Sequence, residues 1–351
     1  MTKTIIWSMV NAYYENLPWP DSGPLKASSP WSGNYEIYPA LWAIAHTTQF
    51  AQPGWRYIDG ACGLLRRGGS YVCLRSPEPE GDWSIIAETA EAKYPQTLVF
   101  RVSGGLSTKP LHVWRSDRTE QFARINDLPI DDGLATLDLE PGCIYSFTTT
   151  RGQRKGLVAP PPKTDFPFPY RDDFEDGRAG GLPKYFSDQG GAFEAAERPG
   201  GGRCLRQTVA QCGIDWHYHP NPEPYTMIGS ANWRDYEVEC EALVEQSGYA
   251  AVYGRIATSL QNEYPPRGYW LKAGADGRWE LKAFTGTLAA GRCPFAADQW
   301  HALKLKFDGP RITASIDGRE VVSIEDRTYG AGMAGLGTGW NRAMFDNFSV
   351  K

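Results

Sequence analysis

The 351-residue sequence has no apolar run long enough to cross a bilayer as a helix. It also has no long basic run, and its formal net charge is −5, so nucleic acid is excluded as an expected partner. The opening residues Met1 to Trp7 contain no apolar core followed by a small-residue cleavage site, so no secretory leader is read there. Seven cysteines are present, but none forms a C-x-x-C pair, which argues against a zinc site. Cys62 with Cys73, and Cys204 with Cys212, are spaced to bridge neighbouring strands. Buried free thiols fit equally well, so cysteine leaves the compartment open.

What is present is aromatic. There are 13 Trp, 18 Tyr and 14 Phe, and apolar residues make up 41% of the chain, enough to build real cores. Aromatic rings pack β-sandwich interiors, and an exposed ring also offers a flat apolar face to the C–H side of a sugar. Most of these residues are expected in cores, with a minority left for carbohydrate.

Along the chain, residues 4–10 (TIIWSMV) read as a short strand buried on both faces. A natural domain seldom begins inside its own core, so this opening suggests a fragment of a longer gene. A Pro- and Gly-rich loop follows, then PALWAIAHTTQF, a helix with Pro39 in its first turn and Leu41, Trp42, Ile44 and Ala45 on one face. Strand, loop and helix make one βα unit, which cannot bury itself. From Trp55 the texture becomes short alternating segments, SYVCL, WSIIAE, TLVFRV, LHVWR, ATLDL and IYSFTT, the rhythm of an antiparallel sandwich. Residues 151–170 are Pro-rich and predict an extended linker. Beyond Asp172 longer strands return, and Trp300 to Gly318 reads as a hairpin turned by Asp-Gly pairs, of the kind common in concanavalin- and laminin-G-like jelly rolls.

In this order the chain resembles the galactocerebrosidase family of glycoside hydrolases. The resemblance runs through TIIW, NAYYENLP, PWSGNY, AHTTQFAQPGW and GGSYV; then TTTRGQRKG and PPPKTDFPFPY; then LRQTVAQCGIDW, IGSANW and the terminal FDNFSV. It implies a mainly β chain with four parts. Residues 1–53 would be the last βα unit of a (β/α)8 TIM barrel, 54–150 a β-sandwich, 151–170 a linker, and 171–351 a jelly-roll lectin domain. The family removes galactose from galactosylceramide and related lipids with retention. That chemistry uses two carboxylates about 5–5.5 Å apart. The resemblance places both glutamates on earlier barrel strands, so no catalytic residue is expected here. Adjacent acids such as Asp131-Asp132 and Asp172-Asp173 point to opposite faces of a strand and cannot flank one bond.

The resemblance also implies site residues. Trp7, at a barrel strand end, would line the galactose pocket, and Trp216, in the loop GIDWHYHPNP, would reach over the cleft. A structural calcium would be held by Asp173, Glu175, the Arg203 carbonyl and Asp346, with Glu175 standing where the family commonly has Asn. First and last jelly-roll strands lie side by side, which would bring Asp173 and Asp346 together; calcium takes several mixed oxygens. The family's active-site arginine has no counterpart in the shortened segment AETAEAKYPQTLVFRV, where Arg101 lies in a strand pattern. His217 and His219 share a loop without a third ligand, and Asn347 opens a glycosylation sequon on a predicted strand. Two functions follow as expectations. One is the C-terminal part of a retaining galactosylceramidase-like hydrolase of galactolipids, needing an N-terminal barrel portion, secreted or lysosomal and served by a saposin-like lipid presenter. The other is a free-standing calcium-dependent carbohydrate-binding protein.

Overall fold

The structure is a computed structural model. It describes all residues except 1–4, 13, 15–22, 79–80, 214–222 and 259–265. By contacts the chain divides into two compact units, residues 1–10, 23–26 and 36–160, and residues 11–22, 27–35 and 161–351.

The first unit is built on an antiparallel sandwich. Its larger sheet runs Ala123–Arg124, His112–Ser116, Ile144–Thr148, Trp83–Glu88, Ser70–Arg75, Arg56–Tyr57, with Gly63–Leu64 also on Ser70–Arg75. Four of the six predicted strands lie in this sheet within a residue or two, because period-two alternation places Cys73, Ile85, Ala87, Val113 and Phe147 on one buried face. The other two, TLVFRV and ATLDL, pair with each other. Gln96–Arg101 and Leu134–Leu139 form a separate two-stranded sheet with Phe100 opposite Ala135. Trp83 is almost fully buried and donates its indole N–H to the Ser107 carbonyl at 2.8 Å.

The helix Pro39–Thr48 starts with Pro at its first turn, where the missing N–H costs nothing. Its anchor is not the predicted apolar face. Ala45 and His46 are the buried residues, while Leu41, Trp42 and Ile44 are half-buried. Trp42 nevertheless is not bare, since it stacks on Phe122 at 5.6 Å with the Lys155 ammonium over its ring.

The predicted strand at residues 4–10 is a correction. Among the described residues strand structure begins only at Val10, in Val10–Ala12, and Ile5, Ile6 and Trp7 lie exposed. A strand buried on both faces needs neighbours on both sides. The three-stranded sheet of Val10–Ala12, Leu25–Ser29 and Asn34–Ile37 stops short of those residues.

The second unit is a two-sheet jelly roll. One sheet has the order Phe193–Glu197, Arg203–Gln207, Ala343–Val350, Glu237–Val244, His301–Asp308, Arg311–Ile316, Arg319–Glu325. The facing sheet runs Ser187–Asp188, Tyr225–Ile228, Met333–Thr338, Tyr249–Thr258, Arg267–Gly274, Arg278–Ala283, Gly286–Arg292. Between them lies a continuous core that includes Val238, Val252, Leu271, Leu305 and Phe345, all without accessible surface. The expected hairpin is present, with Leu303 opposite Ile316. Its following turn uses Asp317 at φ 51° and Gly318 at φ 73°, the left-handed pair that a two-residue hairpin loop requires. Tyr170–Asp172 pairs with Ala343–Val350, so the first and last strands are neighbours.

Residues 151–169 form neither helix nor strand. They are nonetheless fixed: Gln153 donates to the Gln49 carbonyl at 3.1 Å, and Phe166 is buried against Trp31 and Trp233. All seven cysteines are free thiols, so neither proposed bridge is made. Cys62 instead accepts the Cys73 backbone N–H at 3.4 Å through its sulfur.

Candidate functional site

The chemistry-bearing residues gather where the first and last jelly-roll strands meet. Glu241 and Asp346 sit directly opposite each other on neighbouring strands. Two like charges so placed repel, and Asp346 is almost completely buried. The conflict is resolved by Arg198. Its guanidinium donates to Glu241 Oε2 at 2.8 Å and also to Asp346 Oδ2, and it lies over the Trp300 ring at 4.4 Å. Burial, the largest influence, still raises the Asp346 carboxyl above its ordinary range. Arg198 was not singled out from sequence. Glu241 and Asp346 lie on predicted strands, but only the pairing of those strands shows that they face each other and demand a cation.

The residues expected around calcium are placed as follows. Asp173 follows the strand that pairs with Ala343–Val350 and accepts the Glu175 N–H at 3.3 Å. Glu175 Oε1 accepts the Arg203 N–H at 2.9 Å, which ties these two residues together. Asp346 and Glu175 both act on the Cys204 thiol, which burial, foremost, pushes up to about 11. Glu175 serves an amide and Asp346 serves a guanidinium. Among the described residues no group of three or more His, Cys, Asp or Glu side chains is arranged to hold a metal ion. A cation would have to displace Arg198 from Asp346 to use that carboxylate.

Beside this junction lies a polar cavity of about 750 Å³, lined by Asp172, Asp173, Lys184, Glu239 and Asn347 among others. Asp172 accepts the Tyr170 hydroxyl at 2.8 Å and the Phe174 N–H at 2.8 Å, and its carboxyl is raised chiefly by burial. Asn347 donates to Glu241 Oε2 at 3.0 Å, so the sequon side chain is engaged on its strand. Other close acids are likewise neutralised: Glu237 and Glu239 share Lys304, each at 3.0 Å. These pairs are salt-bridged, and an acid with a base between it and its neighbour is not the open pair that glycoside cleavage uses.

Trp7 is 92% exposed and presents its indole to solvent. Trp216 lies outside the described residues, as do His217 and His219. Arg101 is exposed on the outer face of Gln96–Arg101, in the first unit.

Two family descriptions match. "Galactocerebrosidase, C-terminal lectin domain" covers residues 188–351, and "Glycosyl hydrolase family 59" covers residues 1–49. Galactocerebrosidase from Danio rerio is 30% identical over 389 aligned residues, and that from Homo sapiens 32% over 389, each across 100% of this chain. The chain belongs to the galactocerebrosidase family. It spans 58% and 56% of the length of those two relatives, so it corresponds to part of a family member. Among solved structures, the carbohydrate binding module CBM66 from Bacillus subtilis has a TM-score of 0.36 at 16% identity, covering 48% of this chain and 95% of that one. The galactocerebrosidase likeness runs through all the parts read from sequence, from the segment around Trp7 to the lectin-type jelly roll.

Proposed function

We propose that this chain acts as the C-terminal part of a retaining galactoside hydrolase whose substrates are galactolipids such as galactosylceramide. In this reading it contributes an aromatic wall and the lectin-type jelly roll, while the acid–base pair comes from barrel strands outside residues 1–351. Likeness to galactocerebrosidases across the entire chain carries the proposal. The exposed indole of Trp7 supports its part in it, because a tryptophan with a free face suits stacking on a galactose ring. Trp216 is proposed as a second contact from the loop at residues 214–222. Retention needs two closely spaced carboxylates, and the Glu241–Asp346 and Glu237–Glu239 pairs are each bridged by a base.

A lysosomal or secreted setting, a role in sphingolipid breakdown and help from a saposin-like lipid presenter belong to the same proposal. Calcium is its narrowest element: Asp173, Glu175, the Arg203 carbonyl and Asp346 would supply oxygen, with Arg198 withdrawn. Calcium would brace the strand junction and take no part in bond cleavage.

The test is reconstitution. The 351-residue chain is assayed on a fluorogenic β-galactoside and on galactosylceramide, alone and fused behind the barrel segment of the Homo sapiens relative. No turnover alone and turnover by the fusion, reduced by Trp7→Ala mainly through KM, is the expected result. Turnover by the chain alone overturns the division of labour, and a fusion that folds without any activity overturns the assignment.

A further inference from the structure

We propose that one end of the larger sheet in the first unit binds an acidic oligosaccharide. The site is a trough that crosses five neighbouring strand ends. His112–Ser116, Ile144–Thr148, Trp83–Glu88, Ser70–Arg75 and Arg56–Tyr57 follow one another across this sheet. Their register sets His112 and Ser84 opposite Thr148, Arg75 opposite Trp83, and Arg56 opposite Arg75, all at one end of the sheet. Just past that end stand, in order across the sheet, Lys109 with Arg151, then Thr149, Asp82 and Trp55. Side chains confirm the neighbours. Arg151 Nε donates to His112 Nε2 at 3.3 Å, and the Thr149 hydroxyl donates to Asp82 Oδ1 at 2.7 Å. Five strands at the usual spacing span about 19 Å.

These residues line one cavity of about 730 Å³, which lies within the first unit. Its volume falls in the range of small-molecule sites, about 300–1,000 Å³. The end of helix Pro39–Thr48 and the chain after Ile144–Thr148 close one side. Gln153 donates to the Gln49 carbonyl at 3.1 Å, Gln49 Nε2 to the Arg154 carbonyl at 3.1 Å, and the Arg154 N–H to Gln49 Oε1 at 2.9 Å. This wall is fixed before any ligand arrives, which lowers the entropy lost on binding.

The groups left open select the ligand. Trp55 is half-buried, and among the described residues its ring has no stacking partner and its indole N–H no acceptor. The Gln52 amide and the Lys109 ammonium are likewise unengaged among the described residues. Arg151 uses only Nε, and Asp82 only Oδ1. Across the trough the order is an aromatic plate, an acceptor-only carboxylate and then two cations. A sugar ring offers its apolar C–H face to an indole. Its hydroxyls can donate to Asp82 Oδ2 and accept from Gln52. An anionic substituent two strand steps beyond Asp82, about 10 Å away, meets Lys109 and Arg151 in charge-assisted hydrogen bonds. A hydrocarbon chain would take water from these polar groups and return no hydrogen bond, which is costly. A polyphosphate would place its charges against Asp82.

The full 351-residue chain is titrated by calorimetry with aldotetraouronic acid, which carries a single carboxylate on a xylose backbone, with neutral xylotetraose, and with a sulfated heparin tetrasaccharide. Saturable one-to-one binding of an acidic sugar is expected, at least about tenfold tighter than that of xylotetraose. The tighter of the two acids tells a carboxylate ligand from a sulfate. Lys109→Glu should weaken acid binding by about tenfold or more and leave the melting temperature within error, because this side chain is exposed and unpaired. Trp55→Ala should weaken all three sugars. Arg101→Glu reverses an exposed charge on a strand outside the trough and should change nothing. Absence of saturable binding by both acids overturns the proposal, as does equal affinity for xylotetraose. So does acid affinity unchanged by Lys109→Glu, or lowered as much by Arg101→Glu, which would mean diffuse surface charge. If Trp55→Ala fails to fold, the two charge reversals still decide. No probe is a galactoside and turnover is not read, so this result stands apart from the reconstitution.

Discussion

Replacing His46 tests how a polar side chain holds the helix Pro39–Thr48 on the sandwich. His46 has no accessible surface. Its Nδ1 and Nε2 lie 2.8 Å from the hydroxyls of Ser146 and Ser116. Ser146 Oγ donates its proton to the His46 carbonyl at 2.9 Å, so it must accept from Nδ1–H. Ser116 Oγ accepts the Phe122 N–H at 2.8 Å and has its own proton free for Nε2. Every hydrogen in the cluster has a place when the imidazole is neutral, and a second ring proton has none. Burial lowers the pKa from 6.5 to about 4. The unfolded chain therefore takes up a proton first as pH falls below 6.5. Stability is lost from there down to about pH 4, where the native ring also protonates and the loss levels off. The stability lost over this range is on the order of 3 kcal/mol. The measurement is denaturant unfolding between pH 7 and pH 4, followed by tryptophan fluorescence, for the wild type and His46→Leu. The variant should be less stable at pH 7 by about 1–3 kcal/mol, because the Ser116 hydroxyl loses its acceptor. It should then lose less on acidification, so that the two curves converge. Parallel curves would refute the neutral-imidazole account.

Three further outcomes are expected. Arg198→Met should destabilise the jelly roll by about 3 kcal/mol, since it leaves the buried Asp346 facing Glu241 unneutralised; adding Asp346→Asn should recover part of this. If the calcium proposal is sound, millimolar calcium raises the melting temperature of Arg198→Met more than that of the wild type, and an equal or absent shift removes calcium from the proposal. Alkylation at pH 8 followed by peptide mass mapping should label the exposed Cys62 far faster than Cys73, whose thiol burial pushes up to about 12; equal labelling would contradict the packing given for Ser70–Arg75.

Most of the β architecture was legible because strand alternation and turn chemistry are local. WSIIAE is found as Trp83–Glu88, and the Asp317-Gly318 turn falls where its residue types require. Three features are not local. The segment at residues 4–10 looked like a buried strand because its composition is apolar, but composition does not supply neighbours. The apolar positions of the helix predict a seam, whereas its deepest contact is His46, whose partners are 70 and 100 residues away. Arg198 became visible only when strand pairing set Glu241 opposite Asp346. The metal ligands came from family likeness, which assigns residues to positions but does not say which partner each oxygen already has.

The side-by-side arrangement of Tyr170–Asp172 and Ala343–Val350 has a consequence for modularity. Tyr170 lies opposite Val350 at one end of a sheet in which Ala343–Val350 is an interior strand, and Glu237 exchanges backbone hydrogen bonds with Lys351 at 2.8 and 3.0 Å. A domain whose entry and exit points touch can be spliced into a surface loop of a host without stretching either partner. For the same reason it should tolerate being cut at the Asp317-Gly318 turn and rejoined through a short peptide between its old ends. The strand framework from Tyr170 to Val350 is thus topologically closed on itself, with Trp31 and Tyr14 added to its packing from earlier in the chain.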